Sequence, residues 1–201
     1  NIIFKNVNIY KNSLGNKVVF EEINHTLGLT FLYSWEASKK YGFVKKTKLL
    51  NHNDKNLQIK IVDGLRNILP AGVSLRTQQE MSNLANAYKV SECNSDYNYA
   101  LYYMNALLMD KPDPGESLFA NIVWSYSNEN IELSVSEKSI STFIKNNNFE
   151  KNHLLKGKEG SFLNYINKSL LPGHEMIWYI IADVQKSQSD ISVIISDLKA
   201  K

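Results

Sequence analysis

The sequence predicts a mostly β domain built from two packed antiparallel sheets with short helices. Apolar and polar residues alternate with period two over most of the chain, and polar turn clusters separate these runs. Clear helical spacing is confined to short stretches near 136–146 and 187–201. The 201 residues are 43% hydrophobic and 11% aromatic, which supplies a core and excludes a disordered chain. Nine Gly, four Pro and the single Cys93 exclude collagen-like repeats and a disulfide scaffold.

Residues 2–10 and 17–26 flank the turn cluster 12–16 and predict a first hairpin. From Leu29, alternation puts Leu29, Phe31, Tyr33 and Trp35 on one strand face and Thr30, Leu32 and Ser34 on the other. The first face carries nearly all the aromatic area and predicts a side turned to a core or a ligand. A strand over 42–51, the polar turn 52–56 and the run Leu57, Ile59, Ile61 against Gln58 and Lys60 predict a half-buried hairpin arm. Residues 63–72 carry Gly64, Pro70 and Gly72 and read as an ordered loop.

The next stretch, 77–92, fits two periods. Met81, Leu84, Ala85 and Tyr88 make a helical stripe, while Leu84, Tyr88 and Val90 also share a strand face, and the reading is a helical turn followed by a strand. Tyr97, Tyr99, Tyr102 and Tyr103 predict a long strand over 97–109, and residues 111–115 a loop. Segments 117–127 and 131–135 predict a hairpin across 127–130. Ser136 as N-cap with Ile140, Phe143 and Ile144 predicts a short helix ended by the polar run 145–159. Strands follow at 161–170 and 175–184. Ile191, Ile194, Ile195 and Leu198 then make an amphipathic helix after Ser189-Asp190. The domain reading is one sandwich over 1–186, with 187–201 as a helix that packs on it or leads to a missing C-terminal catalytic domain.

A formal charge of +3, with Arg66 and Arg76 as the only arginines, gives no footprint for nucleic acid. No apolar run reaches the roughly 18 residues of a membrane helix. The chain begins at Asn1 rather than Met, which reads as a mature form or an excised domain, and one lone Cys suits either the cytoplasm or the periplasm.

His25, His52, His153 and His174 sit near turns, at no metal-ligand spacing with one another or with Cys93, so neither a metal nor a cofactor is expected. Paired carboxylates would suit glycoside cleavage, and Glu21, Glu22, Glu36, Asp63, Asp113 and Glu116 are the candidates. Adjacent Glu21 and Glu22 point to opposite faces of a strand, which argues against their pairing, and no catalytic residue is assigned. The aromatics Phe31, Tyr33, Trp35, Tyr41, Phe43 and Tyr97–Tyr103 can stack on sugar rings, although such stripes are more often inter-sheet core. Trp35 and Tyr41, near a strand end, and Tyr33 are the carbohydrate-binding candidates. Lys45, Lys46 and Lys48 divide between two faces of one strand, as on a solvated arm.

The runs 27–35 and 41–61, with Leu49-x-Asn51-x-x-Asp54 leading to a second alternating strand at Leu57, resemble the N-terminal β-supersandwich of cellobiose-phosphorylase-like bacterial enzymes. Residues 63–73 and 114–124 look similar to segments of larger proteins of that type, and the resemblance covers roughly 17–135. It implies a galactose-mutarotase-like supersandwich that is itself non-catalytic. In such enzymes this domain packs on a following (α/α)₆ barrel, which holds the catalytic acid, and shapes substrate access or dimer contacts. The implied partners are a carbohydrate or a C-terminal catalytic domain of the same chain, with a homodimer as a further possibility. A stand-alone carbohydrate-binding module using exposed aromatics is the alternative, and a small hydrolase with two carboxyl groups in a cleft is the third reading.

Overall fold

The computed structural model describes residues 4–106 and 117–200. With 51% strand and 18% helix, the protein is mostly β. In chain order, β1 (Lys5–Lys11), β2 (Lys17–Asn24), β3 (Leu29–Ala37), β4 (Phe43–Asn51) and β5 (Leu57–Ile68) precede the short helices α1 (Leu75–Glu80) and α2 (Ser82–Tyr88). Then come β6 (Lys89–Asn94), β7 (Tyr99–Met104), β8 (Phe119–Ser127), β9 (Glu132–Ser134) and α3 (Lys138–Asn146). The chain continues through β10 (Leu154–Lys156), β11 (Gly160–Leu170), β12 (Glu175–Ser187) and α4 (Gln188–Lys199). The strands form two antiparallel sheets, in the orders β1-β2-β3-β4-β12-β8-β7-β6-β10 and β5-β11-β9, sandwich-like and without a closed barrel.

The chain divides into two compact units. The first comprises Asn1–Ile61, Ser125–Ile131 and Ile166–Ala182, and the second Val62–Trp124, Glu132–Tyr165 and Asp183–Lys201.

In the first unit β1 to β4 form a meander. Lys5 pairs with Asn24, Lys17 with Glu36 and Leu29 with Asn51, and β12 adds to β4 with Glu175 opposite Leu50. Residues directly opposite in an antiparallel ladder share a sheet face, so this register sorts the side chains. One face carries Lys45, Thr47 and Leu49 beside Met176, Trp178 and Ile180, all buried, with Thr47 and Trp178 fully so. This is the core face. Phe31, Tyr33 and Trp35 of β3 belong to it, and Phe31 meets Tyr33 at 5.9 Å and Trp178 at 6.3 Å between ring centroids.

Asn51, at 1% exposure, closes this unit. Its amide donates to the carbonyls of Lys55 (2.9 Å), Leu170 (3.0 Å) and Leu171 (3.2 Å). Its side-chain oxygen accepts from the backbone and side-chain N–H groups of Asn53, and its backbone bonds to His174 and Gly173.

In the second unit β6 pairs with β7, and β7 with β8, around fully buried Tyr102, whose hydroxyl donates to the Ser161 carbonyl at 2.8 Å. Val73, Ala85 and Met104 cluster there with Leu69. Lys89, 1% exposed, donates to Gln78, which in turn donates to Glu159 at 2.7 Å, so its buried ammonium has both an acceptor and a countercharge nearby. α4 begins with a complete capping box between Ser187 and Asp190.

Several local expectations are corrected. Residues 63–68 continue β5 instead of forming a loop. Gly64 serves close approach here, since a Cβ would lie 2.0 Å from the Phe162 carbonyl oxygen. β4 and β5 are not a hairpin, and neither are β8 and β9, because each pair divides between the two sheets. The helical turn expected within 77–92 extends to two short helices over 75–88, and the strand expected after it is β6. β7 is shorter than expected, starting at Tyr99 and ending at Met104. The run 145–159 contains the three-residue strand β10. Residues 2–3, 107–109 and 111–115 of the expected strands and loop lie outside the described residues.

Replacing Asn51 by Ala leaves the buried carbonyl of Leu170, the carbonyls of Lys55 and Leu171 and the Asn53 amides without their partner. The expected loss is about 3 kcal/mol of unfolding free energy. Urea denaturation checks this, and a loss below about 0.5 kcal/mol would show that the turn holds without Asn51.

Candidate functional site

The face of the first unit opposite the core face is open. In register it carries Asn8 and Tyr10 on β1, Val19, Glu21 and Ile23 on β2, Thr30, Leu32 and Ser34 on β3, and Lys46, Lys48 and Leu50 on β4. On it lies a groove of ≈ 590 Å³. The size falls within the range of small-molecule sites. Half-buried Ile23, Leu32 and Leu50 give it an apolar floor, and Glu21, Lys48, His52 and buried Thr30 supply its polar groups.

Each of these polar groups is held. Glu21 accepts from Asn8 Nδ2 at 2.9 Å and from the Tyr10 hydroxyl at 2.8 Å, both on the same carboxylate oxygen. The Asn8 bond first, then the Tyr10 bond, holds the Glu21 carboxyl below its ordinary range, and the same contact raises the Tyr10 hydroxyl. Lys48 pairs with Glu175. The Thr30 hydroxyl and His52 Nε2 are 2.8 Å apart. Tyr10 and Asn8 stand on the edge strand, so the carboxylate is oriented by one exposed side chain, Tyr10, and one half-buried side chain, Asn8.

The aromatic candidates lie elsewhere. Tyr33 stacks on Phe20 at 4.8 Å and 13°, with the Lys45 ammonium 5.2 Å from its ring centroid. Trp35 shares its face, opposite Val18 and Lys45. Tyr41 sits in the β3–β4 turn, with its amide bonded to Ser38 Oγ at 3.0 Å and the Lys40 ammonium 4.8 Å from its ring. All three are half-buried, and Tyr33 and Trp35 are on the face opposite the groove.

Of the carboxylates, Glu21 and Glu22 do point to opposite faces. Glu21 joins Asn8 and Tyr10, while Glu22 pairs with Lys5 at 3.1 Å. Glu36 pairs with Lys17 at 3.2 Å, and Asp113 and Glu116 lie outside the described residues. No group of three or more metal-ligating side chains occurs among the described residues. No helix among them is long and apolar enough to cross a membrane. Burial pushes the half-buried Cys93 thiol up to about 11, so its reactive thiolate is suppressed at neutral pH.

The sequence divides the lysines of β4 between two faces and puts the candidates Tyr33 and Trp35 on the aromatic face, while the groove lies on the other. The signal for the groove was the alternation of Lys46, Lys48 and Leu50 against Thr30, Leu32 and Ser34. Without the strand register, it does not say which face is open.

No family model and no curated protein matches the chain. Among solved structures it is similar to heparinase III, the BT4657 gene product, with a TM-score of 0.45 and 8% identity. That match covers 92% of this chain and 22% of heparinase III, so this chain spans about a fifth of the neighbour's length.

Because its folded-state pKa is depressed, Glu21 remains ionised until pH falls through that lowered value. Its contribution to stability is present above the ordinary carboxylate range and is lost on acidification. Asn8→Ala should move the Glu21 titration upward toward the ordinary range, read as the pH dependence of the side-chain carboxyl carbon by NMR. An unchanged midpoint would remove Asn8 as the cause.

Proposed function

We propose that the groove on the open face of the first unit binds a glycan, and that the chain serves as a non-catalytic accessory domain of a carbohydrate-active enzyme. One observation carries the binding reading: an apolar floor edged by side chains that are already oriented by one another. Pyranose rings present C–H faces and hydroxyl edges, and such a surface meets both. Ile23, Leu32 and Leu50 would lie under the ring. Glu21 accepts hydroxyl protons, while Lys48 and His52 offer N–H groups. Preorganisation lowers the ordering cost of binding, because Glu21, Lys48 and Thr30 do not have to be fixed by the ligand.

The accessory role is the finer part of the proposal. It draws on the resemblance of residues 17–135 to cellobiose-phosphorylase-like enzymes, in which a following (α/α)₆ barrel does the chemistry. Exposed Leu118 and Phe119 in the second unit, at 66% and 49% exposure, supply the kind of apolar surface that packs on a further domain.

Calorimetric titration of the chain with hexasaccharides of cellulose, chitin and heparan sulfate tests the binding. At least one should bind, and Glu21→Gln should weaken it about tenfold, the loss of one charge-assisted hydrogen bond. If none binds at millimolar concentration, the reading fails. If Tyr41→Ala abolishes binding while Glu21→Gln leaves it intact, the site lies at the β3–β4 turn and not in the groove.

A further inference from the structure

We infer that the ligand of this face is an extended glycan chain lying across the strands, with Tyr126 and Tyr179 forming a second sugar-stacking site beyond the groove. The inference rests on the glycan-binding reading and deepens it.

The register places the pair. On β12, Ile177 is opposite Lys48 and Tyr179 is opposite Lys46, so Tyr179 shares the open face with the groove. Lys46 is in turn opposite Ser34, and Ser34 opposite Val19. The row Val19, Ser34, Lys46 and Tyr179 therefore runs beside the row Glu21, Leu32, Lys48 and Ile177, roughly 7 Å away along the strands. From β2 to β12 there are three strand spacings, roughly 14 Å in all. A single sugar ring in the groove cannot cover that distance, whereas a chain crossing the strands can.

The side chains along that path suit such a ligand. Between the groove and β12 stands Ser34, a small side chain 6% exposed that offers no bulk across the path. Beyond it the Lys46 ammonium lies 5.6 Å from the Tyr179 ring centroid. Tyr126 of β8, 48% exposed, meets Tyr179 with centroids 6.3 Å apart and planes tilted by 43°. An aromatic pair with a lysine ammonium over one of its rings, that of Tyr179, leaves the more exposed Tyr126 ring as the stacking surface and sets hydrogen-bond donors beside it. The pair has a further local anchor, since Ser127 next to Tyr126 donates to the Ile177 carbonyl at 3.2 Å.

The test compares disaccharides and hexasaccharides of cellulose, chitin and heparan sulfate on the full chain and on Tyr126→Ala, with circular dichroism to verify that the variant folds. The hexasaccharide that binds should do so at least about tenfold more tightly than its disaccharide. Tyr126→Ala should remove that advantage and leave disaccharide binding unchanged, while Tyr126→Trp should retain it. Equal affinity for the two lengths, or a length advantage that survives Tyr126→Ala, overturns the second site and leaves the groove standing. Failure of every saccharide to bind overturns the proposed function, and the inference with it.

Discussion

The first unit depends on the side chain of Asn51. With almost no exposure, its amide and carbonyl have no water to fall back on, and their bonds tie the end of β4 to the turn that follows it and to the β11–β12 connection. Asn53 extends the network to the β2–β3 turn through the carbonyls of Leu27 and Gly28. Gly28 makes room for this: its φ is +62°, and a Cβ there would lie 2.5 Å from Asn53 Oδ1. Three strand connections are thus locked by two asparagines, and the groove's lining residues Gly28, Thr30 and His52 sit directly beside them.

That lock has a consequence for the faces. A slip of one residue in β4 would exchange Lys45, Thr47 and Leu49 for Lys46, Lys48 and Leu50 on the core face, burying one more charge than the observed register and exposing Leu49. In the observed register Lys45 lies on the core face, with its ammonium against the Tyr33 ring. Lys46 and Lys48 reach the open face, against Tyr179 and Glu175. Turn chemistry at one end of the sheet therefore governs which polar groups are available to a ligand several residues away.

Much of the architecture was legible because it rests on local signals. The first hairpin follows from alternation around the 12–16 turn, and α4 from its stripe, although its cap is Ser187 with Asp190 and Ser189 lies inside the helix. Errors fell where a non-local partner decides. Gly64 reads as a breaker but sits inside β5, since a backbone across the sheet needs its missing side chain. Short polar segments between strands read as hairpin turns, but some carry the chain from one sheet to the other, as between β4 and β5 or β8 and β9. Nothing in their composition distinguishes the two cases.

The candidate site divides the same way. By itself the sequence determined the mostly β class, the alternating faces of β3 and β4, and the opposed directions of Glu21 and Glu22, because side-chain direction in a strand is a property of the strand alone. Which face is open, that Glu21 gathers Asn8 and Tyr10, and that Tyr126 meets Tyr179 were decided only by the tertiary structure. Each of those facts requires two strands brought into register, and register is set by buried groups remote in sequence, such as Asn51 and the carbonyl of Leu170.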